Sequence, residues 1–130
     1  MDKTSLVEQN LKDGRELLDL LDKERFPVDA ALWLYMSESG DWRLMIASSI
    51  YDKKGPRKAY TLVQALLAKL PRTVGISLHD ITVVGLQHDL ILRLRKAFST
   101  GSGSDPSGLR LTRSAIGGMF IEDAYVYRSR

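Results

Sequence analysis

The chain of 130 residues contains no cysteine. That excludes a disulfide framework, thiol catalysis and cysteine-ligated metal, and it fits a reducing compartment. Histidine is almost as scarce. The two present, His79 and His88, each precede an aspartate. A His-Asp dipeptide can supply metal ligands, but a zinc-type site needs three or four, and no further histidine is available to complete one. No metal and no cofactor are expected. A Gly-x-Ser-x-Gly nucleophile elbow is missing, and neither histidine is linked by pattern to a serine. No apolar run approaches the ~20 residues needed to cross a bilayer. The first residues, Met1-Asp2-Lys3-Thr4-Ser5, lack the basic start and apolar stretch of a secretory signal. The expectation is a cytoplasmic protein with no membrane partner. No residue earns a catalytic role from the sequence, and an enzyme is the less favoured reading.

What is present is an uneven distribution of charge. Residues 1–52 carry 11 acidic and 6 basic side chains, and residues 53–130 carry 5 and 13; the nets of −5 and +8 make up the overall +3. A face of one sign attracts a partner of the other. The apolar fraction of 44% and charged fraction of 27% are ordinary for a globular chain, and the length fits one domain, residues 1–130.

Periodicity predicts the order α-β-β-α-β-α-β-β. Ser5 and Glu8 match a capping box, and Val7, Leu11, Leu18 and Leu21 form the stripe of a first helix that Pro27 stops. Gly14 falls within that stripe and reads as a tolerated glycine. Residues 30–37 and 42–50 flank a polar loop, Glu38-Ser39-Gly40-Asp41, and read as a hairpin. Its alternation puts Trp33, Tyr35, Trp42, Leu44 and Ile46 on one face and Leu32, Leu34, Met36, Met45 and Ala47 on the other. Pro56 opens a second helix with Ala59, Leu62, Val63, Leu66, Leu67 and Leu70 inward and an uncharged outer face of Tyr60, Thr61, Gln64, Ala65 and Ala68. A short strand over 81–85 and a helix over 88–98 follow. Residues 99–108 are a flexible Gly/Ser loop by composition. That loop leaves a helix, enters a strand and lacks a Gly-Lys-Ser/Thr ending, so it is no phosphate loop. Gly117-Gly118 then suits a two-residue turn joining residues 109–116 and 119–128. That turn sets Arg113 opposite Glu122, on a face with Leu109, Leu111, Ala115, Phe120, Ala124 and Val126.

The expected fold is α+β, with about five mostly antiparallel strands and three helices. Two apolar hairpin faces and only three helices predict a homodimer or another protein partner at Leu32, Leu34, Met36 and Met45. Lys53, Lys54, Arg57 and Lys58 form the densest basic group and are candidates for anion or nucleic-acid contact. Arg110, Asp123, Tyr125 and Tyr127 share a strand face and can line a small polar pocket. The leading functional reading is a non-catalytic protein-binding or adaptor module. The alternatives are a nucleic-acid accessory protein using the basic second half and a small enzyme using the polar pocket.

Overall fold

The computed structural model describes residues 6, 8–98 and 108–130. Ser5, Val7 and loop residues 99–107 lie outside the described residues.

Three helices and a five-stranded mixed sheet follow the predicted order. The first helix, α1, is Glu8–Lys23. It ends four residues before Pro27 through a hydrogen-bonded reversal. Arg25 takes a left-handed φ of 62°, and the Phe26 N–H donates to the Leu21 carbonyl at 2.8 Å. The buried side chains of Leu21 and Phe26 belong to one cluster, as this kind of helix end favours.

Strands β1 (Ala30–Met36) and β2 (Asp41–Ala47) pair with Tyr35 opposite Trp42 and Met36 opposite Asp41. The turn is residues 37–40, one position earlier than predicted, because Gly40 takes the positive φ of 74° and its N–H closes onto the Met36 carbonyl at 2.8 Å. Strands that flank the loop at 37 and 42 predict Ser37 opposite Trp42, and the observed register differs from that by two residues. A slip of two preserves faces, so the division between the Trp33 face and the Leu32 face stands.

The strand β2 stops before Ser48, whose buried hydroxyl accepts the Ile50 N–H at 3.1 Å and starts α2 (Ser49–Leu67). The helix therefore begins ahead of Pro56. Gly55, at φ 87° and ψ 166°, breaks it, and the longer segment begins at Pro56, where its missing N–H costs nothing. A 3₁₀ turn, Leu78–Asp80, leads into β3 (Ile81–Val84), which runs parallel to β2. Then come α3 (Asp89–Phe98), β4 (Leu109–Ile116) and β5 (Met119–Ser129).

The sheet order is β3-β2-β1-β5-β4, with β2–β3 its one parallel pair. Leu17, Leu18 and Leu21 of α1 and Ala59 and Val63 of α2 pack on Trp33, Leu44, Ile46, Ile81 and Val83. Leu90, Ile91 and Leu94 of α3 pack on Leu32, Leu34, Met45, Ala47 and Val84. Three helices therefore cover both faces of the first hairpin. Leu32, Leu34 and Met45 are core residues rather than an interface, and of the four residues expected to meet a partner only Met36 is exposed. The uncovered face that motivated a homodimer does not exist.

The final hairpin keeps the predicted register, with Ile116 opposite Met119 and Thr112 opposite Asp123. Its faces differ from the prediction. Arg113 adopts φ 44° and drops out of the ladder, and beyond it the strands exchange sides. Leu111, Ala124 and Val126 are buried as expected, but nearer the turn Ile116 and Ile121 are buried while Ala115 and Phe120 face solvent.

Candidate functional site

Strand alternation and the β1–β5 register bring Arg110, Asp123, Tyr125 and Tyr127 to the sheet face that carries Trp33 and Trp42. Arg110 donates from Nε and Nη2 to the two oxygens of Asp123 at 2.7 and 2.9 Å, and its guanidinium lies over the Trp42 ring at 5.8 Å. The hydrogen bond to Asp123 raises the guanidinium pKa further above its ordinary range. Asp123 is buried, so this bidentate pair is the partner its carboxylate requires.

Tyr127 is buried too. Its hydroxyl donates to the Leu11 carbonyl at 2.6 Å and accepts from Trp33 Nε1 at 2.9 Å. Burial pushes the phenol pKa up, so it stays protonated throughout the neutral range. Gly14 permits this. A Cβ there would run into the Tyr127 hydroxyl and come within 2.9 Å of Trp33 Nε1. The glycine read as merely tolerated is required for close approach. Tyr125 and Tyr127 line a groove of about 790 Å³ with Glu8, Gln9, Leu11, Lys12 and Arg15.

Three further titratable groups, His88, Asp89 and Asp80, are engaged similarly. His88 Nδ1 accepts the Leu90 N–H at 3.2 Å at the start of α3, and Asp89 pairs with Arg93 at 3.0 Å. Asp80 accepts from the Ser77 N–H and hydroxyl at 3.0 and 3.3 Å. His79 and His88 are both exposed, and among the described residues no group of three or more potential ligands gathers for a metal. Asp13 belongs to no motif of the sequence. It is buried in α1, accepts from Gln9 Nε2 at 2.7 Å and from the Gly75 N–H at 3.0 Å, and ties the loop after α2 to α1. The only sequence signal was a carboxylate one position before Gly14, on the packed side of the helix.

The basic groups separate into paired and unpaired sets. Arg93 reaches Asp89 and the Gly117 carbonyl, Arg95 reaches Asp29 at 3.7 Å, and Arg128 reaches Asp22 at 2.7 Å. Lys53, Lys54, Arg57 and Lys58 flank the break at Gly55, are all exposed, and make no ion pair among the described residues.

A second groove, of about 390 Å³, lies where β1 meets the first half of β5. Leu34, Met36, Leu90, Met119, Phe120 and Ile121 supply its apolar walls, and Glu38 and Glu122 its charge. Phe120 is 66% exposed, the most exposed large apolar side chain among the described residues. Comparisons with protein-family models, with curated proteins and with solved structures found no match to this chain.

Proposed function

We propose that this protein is a non-catalytic binding module whose polypeptide partner docks in the groove between β1 and β5. The observation that carries this reading is Phe120. A phenylalanine left 66% exposed beside Met36 and Met119 over an apolar groove costs solvation free energy in the free chain and recovers it when covered. The groove contributes apolar area, and the exposed carboxylate of Glu38 in its lining favours a partner with positive charge. Arg110, Asp123 and Tyr127 have partners within the chain that hold the sheet and α1 together, which supports a structural role for them.

The test is affinity capture with the wild-type chain and the Phe120→Asp variant, at low and high salt. An area-driven contact survives high salt and is lost in the variant. Equal capture by both proteins would rule the groove out. Light scattering at tens of micromolar belongs in the same experiment. A doubled mass that Phe120→Asp abolishes would make a second copy of the chain the occupant.

Lys53, Lys54, Arg57 and Lys58 support a second reading, a nucleic-acid accessory protein, because these four exposed cations make no ion pair among the described residues and remain available to phosphates. Here a salt series against single- and double-stranded nucleic acid decides. Binding should weaken by a slope of about 0.9 in log K per phosphate contacted, and replacing all four by glutamine should remove most of that slope. An unchanged slope in the variant would reject this surface.

A further inference from the structure

The two strands that border the apolar groove separate before they end. The β1–β5 ladder stops at Leu34 opposite Ala124. Both strands continue past that point with their outer neighbours. Tyr35 and Met36 remain paired with Trp42 and Asp41 of β2, and Ile121, Phe120 and Met119 remain paired with Ser114, Ala115 and Ile116 of β4. The sheet therefore opens into a fork, with two strand edges facing each other across the groove. An edge keeps its backbone in extended geometry and presents outward N–H and C=O groups, which is the template that an added strand uses. At Phe120 and Met36 the fork also carries exposed apolar side chains, so a guest would find backbone partners and apolar cover at one place.

From this we infer that the fork takes a short extended polypeptide segment as an added strand, with apolar and basic residues in alternation. The inference rests on the docking reading above and adds the manner of binding and the chemistry of the segment. Alternation follows from strand geometry, since successive side chains point to opposite faces. One set fills the apolar groove. The charge sign follows from Glu38, an exposed carboxylate of the lining; Glu122 also lines the groove but already has an interaction within the chain, so Glu38 carries the preference for a basic segment. The Met36 carbonyl already accepts the N–H groups of Ser39 and Gly40, so Tyr35 and residues 119–122 offer only a short edge, and the segment pairs over two or three residues and binds weakly alone.

The probe is a short capped peptide of alternating valine and lysine, titrated into the isotopically labelled full chain and followed by amide chemical shifts. Two control peptides carry the discrimination. One has its valine nitrogens methylated, which removes backbone donors and keeps the side chains. The other replaces lysine by glutamate. The valine–lysine peptide should shift the amides of residues 35–38 and 119–122. The methylated peptide should bind about tenfold more weakly, the equivalent of one or two hydrogen bonds, and the glutamate peptide should not bind. Phe120→Ser should abolish the shifts while the remaining spectrum stays dispersed, because the side chain is mostly outside the core. Equal binding of the methylated peptide would overturn strand addition and leave apolar docking standing. Equal binding of the glutamate peptide would overturn the basic segment. If no peptide shifts these amides, the inference falls, and the docking reading is then decided by capture with Phe120→Asp alone.

Discussion

Tyr127 carries more of the architecture than any other single side chain near the candidate site. It joins β5 to Leu11 of α1 and to Trp33 of β1, and Gly14 exists to admit it. Tyr127→Phe leaves a buried indole N–H without an acceptor, so it should cost about 1–3 kcal/mol at neutral pH, read from the denaturant midpoint. The alkaline side gives a second readout. The folded-state pKa is raised above the ordinary 10.0. Above pH 10 the unfolded chain therefore loses this proton while the folded chain keeps it, and stability falls as pH rises. The variant should lose that part of the slope, and an unchanged slope would show that another group carries it. The sequence placed Tyr127 correctly on one face with Arg110, Asp123 and Tyr125. It did not show that Tyr127 was spoken for, because the acceptor is a carbonyl 116 residues away and the donor belongs to a strand whose neighbour was unknown.

Among the elements, helices and hairpins with strong local signals were legible, and their ends and pairings less so. Gly117-Gly118 specified its own turn and thereby the β4–β5 register. It could not specify the exchange of faces, which depends on Arg113 holding φ 44°, a conformation that arginine does not advertise. That exchange exposes Phe120, so the best functional signal in the fold was the one the alternation pattern concealed. The start of α2 was missed for a comparable reason. Gly55 and Pro56 read as a helix boundary, but they are a break inside a longer helix that Ser48 caps. Gly55 sits at φ 87°, ψ 166°, a region almost confined to glycine, and a Cβ there would meet nothing within 4 Å. Gly55→Ala should therefore destabilise by about 1–3 kcal/mol through backbone strain alone. Chemical denaturation checks this, and a stability equal to wild type would mean that the helix straightens to accommodate alanine.

For the whole molecule, the division of charge along the sequence has an internal explanation. Arg128 pairs with Asp22, Arg95 with Asp29, and Lys69 with Glu24, so acidic groups of the first part meet basic groups of the second across the fold. Part of the asymmetry that suggested an external partner is complementarity within one chain, and among the described residues the cations beside Gly55 stay outside these pairs. This could not be read from composition, since it requires the strand order that sets the end of β5 beside β1. The best placed of these pairs is Asp22–Arg128, where both guanidinium nitrogens of one edge reach the carboxylate, at 2.9 and 2.7 Å. The hydrogen bond to Arg128 lowers the Asp22 pKa below the usual 3.8, against a smaller opposing effect of burial. A carboxylate whose folded pKa is depressed contributes stability that is present above the unfolded value and lost as pH falls through the folded one. The Asp22 side chain is 41% exposed, so solvent screening holds the contribution to about 1 kcal/mol or less. Asp22→Asn should reduce stability by that amount at pH 7, and the difference should shrink as pH falls through the depressed folded-state pKa. A double-mutant cycle with Arg128→Gln should return a coupling that vanishes over the same acid range and weakens in high salt. A coupling independent of pH would assign the effect to packing of the Arg128 stem against the end of α1 instead of to the pairing of the two halves.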